Sequence, residues 1–319
     1  MKQIALIGEC MIELNGKAFE EMYQTFGGDT LNSAVYLSRV ADKGADIHYV
    51  TVMGTDPISE GIVSRWQQEG INTDMVLRDA GRQPGLYLIQ LDERGERTFL
   101  YWRNQSAARF LLQHAEFNKV AITLEKMDVV YLSGISLAIL PSSDRKKLLS
   151  LLNSLASQGV KIAFDSNFRP ALWRKGELWS GVKHFYSQIL SICDIALLTF
   201  DDEQEIWGDS SSEEALNRLS TSGVSKVVLK LGDKGCIYRD FAEEESIESP
   251  AVHVQEVVDT TSAGDSFNAG FLSGYLQGLS PQECCVRGNE LAGIVIQHKG
   301  AIVPLSATET LSNTFKQKY

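Results

Sequence analysis

The segment Asp259-Thr260-Thr261-Ser262-Ala263-Gly264-Asp265-Ser266-Phe267 sets a carboxylate in a run of small residues. It follows the apolar pair Val257-Val258 and leads into Phe267, Phe271 and Tyr275 at helical spacing. A strand feeding a helix through such a junction leaves the backbone N–H groups of Ala263, Gly264 and Asp265 unpaired at the positive end of the helix, a cradle for negative charge. With Asp265 in the same turn, the chemistry on offer is a carboxylate able to take a proton beside preorganised donors for negative charge. The same carboxylate would also serve simply to stabilise the first turn of the helix. Glycine would suit position 262 better only if a positive φ were required there, and helix-cap geometry is the expectation for Ser262.

Other residues with chemical potential are spread along the chain. Phe26-Gly27-Gly28-Asp29-Thr30-Leu31-Asn32 precedes a helical pattern through Val35, Leu37 and Val40, and a plain N-cap at Asp29 or Thr30 explains it as well as a ligand site does. Lys230-Leu231-Gly232-Asp233-Lys234-Gly235 reads as strand, turn, strand. Two arginines stand near aromatic residues or asparagines: Arg103 in Tyr101-Trp102-Arg103-Asn104, and Arg169 in Asp165-Ser166-Asn167-Phe168-Arg169-Pro170. A guanidinium fork matches a carboxylate, and the hydroxyls of Tyr87 and Tyr101 suit keto and hydroxyl oxygens. A surface charge for Arg103 and a structural salt bridge for Arg169 are the plainer alternatives.

The elements that must position these residues show in the apolar runs Ile4 to Ile7, Ile47 to Met53, Val129 to Leu132, Val160 to Phe164, Ile195 to Leu198 and Val227 to Leu231. Stretches at helical spacing separate them, among them Leu148, Leu149, Leu152 and Leu155. The alternation predicts an α/β fold with a mostly parallel sheet covered by helices on both faces. Met11 to Phe26 and residues 72 to 105 break the pattern. Within the second, Leu86 to Leu91 and Thr98 to Trp102 flank the turn Asp92-Glu93-Arg94-Gly95, so both regions are expected to form antiparallel strands of a small sheet standing off one domain, residues 1–319, as a lid. Glu243-Glu244-Glu245 reads as a solvated turn.

The chain has 319 residues, 44% of them hydrophobic, enough for one large core. Its 30 Lys and Arg against 41 Asp and Glu give a net charge of -11, which opposes general attraction to nucleic acid or anionic membranes, so an anionic substrate needs a local cationic cluster. Without a signal-peptide pattern or a membrane-length apolar run, and with five cysteines in no metal spacing, the expectation is a cytoplasmic protein with reduced thiols. No Walker A motif or protein-kinase motif set is present, and no clustered residues dictate a dedicated metal site.

Together these segments resemble the ribokinase (phosphofructokinase B) family of carbohydrate kinases. Asp259 to Asp265 is similar to its Asp-Thr-x-Gly-Ala-Gly-Asp signature, with Thr261-Ser262 replacing the commoner x-Gly, and Gly27 to Asn32 to its Gly-Gly-x-x-x-Asn signature. Further agreement runs through Gly8-Glu9-Cys10-Met11-Ile12-Glu13, Gly95-Glu96-Arg97-Thr98-Phe99, Leu132-Ser133-Gly134-Ile135-Ser136 and Gly300-Ala301-Ile302. The resemblance implies a ribokinase-like three-layer fold with Asp265 as base and Ser262, Ala263 and Gly264 in an anion hole. It implies ATP and Mg2+, with Asn167, Arg169, Lys230, Gly232, Gly235 and Asn289 on the nucleotide side, Asn289 lying in the helical stretch Gly288 to Gln297. Gly28, Asp29, Asn32, Tyr87, Tyr101, Arg103 and Arg169 would contact the acceptor. The Tyr-x-Arg and Asn-x-Arg-Pro pattern is similar to members that phosphorylate an acid sugar, which implies transfer to the 6-hydroxyl of 2-keto-3-deoxygluconate. Its galactonate epimer, fructose or a nucleoside remain as alternative acceptors, and a noncatalytic sugar or nucleotide sensor as an alternative class. A homodimer through the lid is also implied.

Overall fold

The computed structural model describes residues 1–17, 19–41, 44–91, 97–173, 176 and 178–317. Among the described residues thirteen strands run in chain order: β1 (Lys2–Ile7), β2 (Met11–Gly16), β3 (Met22–Gly27), β4 (Ala45–Met53), β5 (Val76–Arg78), β6 (Gly85–Leu91), β7 (Arg97–Trp102), β8 (Val129–Ser133), β9 (Lys161–Asp165), β10 (Ile195–Thr199), β11 (Lys226–Lys230), β12 (Cys236–Asp240) and β13 (Glu245–Ser249). Nine form one sheet in the order β13-β12-β11-β10-β9-β8-β1-β4-β5. From β5 through β11 every pairing is parallel, and β12 and β13 add an antiparallel edge.

Eleven α-helices are described: α1 (Asp29–Val40), α2 (Pro57–Gln68), α3 (Phe117–Leu124), α4 (Gly134–Ala138), α5 (Ser142–Ser157), α6 (Leu178–Leu190), α7 (Phe200–Trp207), α8 (Ser212–Leu219), α9 (Ala263–Gln277), α10 (Pro281–Val295) and α11 (Leu305–Gln317). Alternate residues of each central strand point to opposite faces, so two cores form. Ile7, Leu132, Phe164 and Leu198 pack with Leu124, Leu152, Val182 and Leu219 from α3 to α8. Leu6, Tyr131, Ala163 and Leu197 pack with Leu31, Phe271 and Leu291 from α1, α9 and α10. α9 and α10 approach so closely that a Cβ on Gly270 would lie 2.4 Å from the Arg287 carbonyl oxygen. α10 starts well before Gly288 because Ser280 and Glu283 form a reciprocal capping box ahead of Pro281.

The remaining strands form a four-stranded sheet, β3-β2-β6-β7. It is not wholly antiparallel: β2 pairs antiparallel with β3 and β6 with β7, but β2 and β6 run parallel because a long excursion through the main domain separates them. Nor does it take in all of residues 72–105. Val76 and Leu77 are buried in the main cores, and β5 pairs in parallel with β4 at the edge of the large sheet. The turn Asp92-Glu93-Arg94-Gly95 and the stretch from Gly95 to Glu96 lie outside the described residues. Glu243 to Glu245 is exposed, as a solvated turn should be.

Candidate active site

The order of the large sheet reverses beside β1, since the chain passes to β4 and β5 on one side and later to β8 through β11 on the other. A parallel sheet opens a crevice outside the carboxyl ends of its strands at such a point. Glu9 lies just beyond β1, and Asp165, Thr199 and Lys230 end β9, β10 and β11. Two adjoining cavities occupy the crevice, about 700 Å³ toward the small sheet and about 860 Å³ toward β12 and β13. Both are lined by Thr199, Lys230, Thr260, Ala263 and Gly264, so the neck between them is the start of α9.

Asp265 stands in the first turn of α9 and is 9% exposed. Asn32 Nδ2, from the first turn of α1, donates to Asp265 Oδ2 at 2.9 Å and to Ser262 Oγ at 2.8 Å. Burial pushes the Asp265 carboxyl up to about 7, helped by the charges of Asp29 and Asp165 and opposed by the hydrogen bonds from Asn32 and Ser262. A carboxylate poised near neutrality suits a base that must both take and release a proton.

The approach to α9 departs from the sequence expectation in three ways. Val257 and Val258 are in no strand; the N–H groups of Val258 and Asp259 bond to the Ile296 carbonyl at the end of α10, and Val257 lines the larger cavity. Ser262 has φ 63° and ψ 14°, a left-handed conformation costing a non-glycine residue about 1 kcal/mol, and its hydroxyl caps no helix amide. The tight turn also brings the Ala263 N–H onto the Thr260 carbonyl at 3.1 Å, so Ala263 is spent as a donor. The Gly264 and Asp265 amides have no such partner among the described residues, and they are the donors left for an anion.

On the small-sheet side the expected ligands lie together, but most are already engaged. Arg103, from just after β7, is buried, and its Nε and Nη2 both reach Glu9 Oε2, the first at 2.9 Å. The Tyr87 hydroxyl donates to Glu13 Oε2, and burial with that neighbour holds it protonated. Asn167, itself at positive φ, donates Nδ2 to Asp29 Oδ2 at 2.9 Å, while burial and the charge of Asp165 raise the Asp29 carboxyl. A Cβ on Gly28 would lie 2.0 Å from the Glu9 carbonyl oxygen, so glycine is required where the two segments touch. Tyr101 is half exposed with its ring 5.8 Å from the Arg103 guanidinium. Arg169 lines this cavity, and among the described residues its guanidinium donates to the Phe168 carbonyl at 2.8 Å. Among the described residues it is therefore the cation in this cavity without a carboxylate partner, unlike Arg103.

On the other side, Lys230 Nζ donates to Asp165 Oδ1 at 3.2 Å and to Asn268 Oδ1 at 3.0 Å, a buried network at the neck. Gly232 and Gly235 turn the chain at positive φ into β12. Asn289 faces the same cavity, but its Nδ2 is committed to the Ser249 and Pro250 carbonyls, so it shapes a wall.

Asn268, Glu9 and Asp202 are members of this site that were not singled out from sequence. Asn268 lies one turn beyond Asp265, a spacing that puts both on one face of α9. Glu9 Oε1 is buried with no hydrogen-bond partner among the described residues. An acidic residue leaving an apolar strand was the available signal, since a buried carboxylate requires a partner.

Residues 1–308 match the pfkB family of carbohydrate kinases. A 2-dehydro-3-deoxygluconokinase of Haemophilus influenzae is 55% identical over 316 residues, covering 99% of this chain and 100% of that protein. One from Dickeya dadantii is 46% identical over 309 residues, covering 96% and 98%. The crystal structure of a putative ribokinase II from E. coli in complex with ATP and Mg2+ superposes with a TM-score of 0.82 at 18% identity, covering 100% of each chain.

Proposed function

We propose, from the premise that the chain belongs to the pfkB family of carbohydrate kinases, that it transfers the γ-phosphoryl group of ATP to the 6-hydroxyl of 2-keto-3-deoxygluconate, the compound also called 2-dehydro-3-deoxygluconate. The observation that carries this reading is the neck between the cavities, where a carboxylate and two unclaimed amides stand together. Asp265 accepts the hydroxyl proton as the oxygen attacks phosphorus, and ADP leaves toward the larger cavity. The Gly264 and Asp265 amides, at the positive end of α9, stabilise charge on the phosphoryl oxygens.

The acid-sugar assignment rests on the high identity to the named relatives and on cations in the smaller cavity. Among the described residues Arg169 has no carboxylate within ion-pair distance, whereas Arg103 is already bridged to Glu9. A substrate carboxylate meeting Arg103 therefore meets a neutralised pair, and Arg169 offers the guanidinium not already in an ion pair among the described residues. The 6-hydroxyl is placed beside Asp265, and Asn32 orients the base more than it binds sugar. Mg2+ enters with the triphosphate: among the described residues no three acidic, imidazole or thiol groups converge to hold an ion, but the Asp165 and Asp202 carboxylates fit as partners to its water and phosphate shell. When bound, the ion neutralises charge on the phosphates.

The small sheet serves as a lid that closes over the sugar and excludes water as a competing nucleophile. Its edge strand β7 exposes Phe99, Leu100, Tyr101 and Trp102, and an exposed apolar edge calls for a cover. A second copy of the chain provides it, lid to lid; sedimentation as a monomer at working concentration would sink that arrangement. Among the described residues no helix is long and apolar enough to cross a membrane, which fits action in the cytoplasm.

ATP-dependent phosphorylation compared across 2-keto-3-deoxygluconate, its galactonate epimer, fructose and ribose tests the assignment. The highest kcat/KM is expected for the gluconate-derived acid. Preference for a neutral sugar would keep the kinase and overturn the substrate.

A further inference from the structure

We propose that Ser262 is a positioning residue for the base, held in a strained backbone conformation because its hydroxyl, together with the Asn32 carboxamide, fixes the Asp265 side chain. The inference rests on the phosphoryl-transfer reading of this site.

A serine at a helix N-cap ordinarily has an extended backbone and turns its oxygen onto an amide of the first turn. Ser262 does neither: its backbone is left-handed, and its Oγ receives Asn32 Nδ2 at 2.8 Å. The same Nδ2 donates to Asp265 Oδ2 at 2.9 Å, while Asn32 Oδ1 takes the Gly28 N–H at 3.4 Å. Both amide hydrogens of Asn32 are thereby used, and the carboxamide is oriented from both ends. If the residue served only the turn, glycine would suit it better, since glycine adopts this φ without strain. Strain that persists at a reacting centre marks a side chain retained for what it touches.

The surroundings give the hydroxyl something to oppose. Asp29 and Tyr36 on α1, Tyr131 on β8, Asp165 on β9 and Lys230 on β11 all face the base or its immediate partners. Burial and the two carboxylates push Asp265 toward its protonated form, and Asn32 and Ser262 hold it toward the charged one. Removing the hydroxyl shifts that balance toward the proton.

Ser262→Gly and Ser262→Ala separate strain from hydrogen bonding, because both remove the hydroxyl and only glycine removes the strain. The Asp265 titration, followed by the ¹³C carboxyl resonance that Asp265→Asn abolishes, is expected to move up by about half to one pH unit in both variants. Accordingly, kcat/KM at pH 6 falls about three- to tenfold, with a smaller change at pH 8.5. Ser262→Gly is expected to melt about 1–2 °C above Ser262→Ala. An unmoved Asp265 in both variants, or equal melting of the two, overturns the proposal. Titration and melting need no substrate, so they fail independently of the reaction. A carboxylate that shifts as stated in a protein that phosphorylates none of the sugars defeats the reaction alone.

Discussion

The two cavities that meet at α9 are built from different materials. Toward β12 and β13 the walls combine glycines with apolar side chains: Gly232 and Gly235 at positive φ and Gly264 at the neck, then Val252, Val257 and Ile296, with Asn289 spent on holding the Ser249 and Pro250 carbonyls. Toward the small sheet they are long polar side chains locked to partners from distant segments, as in Glu9 with Arg103, Glu13 with Tyr87 and Asp29 with Asn167. A backbone cradle suits a ligand common to many enzymes, because main-chain amides recognise phosphate whatever the side chains. Interlocked side chains suit discrimination, because each pair sets charge and shape at one place.

The sharpest test of the division is its shared boundary. Asp265→Asn is expected to lower kcat at least about a hundredfold while ATP still binds, read by turnover and by calorimetry; near-normal turnover would remove the base from its role. Next, Arg103→Ala should lower kcat/KM for the acid sugar by roughly thirty- to a hundredfold, since it both deletes a cation and strands the buried Glu9. Glu9→Gln, which keeps a partner for Arg103 but removes the charge that neutralises it, should have a smaller effect in the opposite direction, a lower KM for the acid sugar. If either variant weakened ATP binding and spared sugar selectivity, the two cavities would have been assigned the wrong way round.

A pH profile probes the neck itself. Asp265 sits near 7 in the folded protein, so below that pH it holds a proton and cannot accept another; kcat/KM should fall about tenfold per unit as pH drops below 7. The sign for stability is opposite. The native state binds this proton more tightly than the unfolded chain, so the contribution is favourable at low pH and is lost as pH rises toward 7. Asp265→Asn should therefore melt higher than the wild type at pH 8. The smallest effect is expected at the far wall: Asn289→Ala should raise KM for ATP about threefold through loosened carbonyls and leave the order of sugar preference unchanged.

These materials also decide what could be read from the sequence. The run Asp259 to Phe267 is contiguous, so carboxylate, small residues and following helix were visible at once. The central strands were equally visible, as continuous apolar runs buried on both faces. By contrast, Arg103 could be named, but not its ion pair, because Glu9 lies 94 residues away. Composition and spacing do not encode a partner at that distance. The small sheet was over-extended to residue 72 because β5 is three residues long, too short for periodicity to separate from its surroundings. The left-handed Ser262 reads as a cap in the sequence because serine at a helix start has one common use, and only the position of Asn32 reveals the other.

The hydrogen bond between Asn32 and Asp265 spans 233 residues of chain. On a ribosome, Gly28, Asp29 and Asn32 emerge well before Ser262 and Asp265, and a nascent chain ending before Ser262 has neither the proposed base nor its neighbouring amides. The strands up to β11 thus have no means of spending nucleotide until α9, which also covers one face of their sheet, has been synthesised.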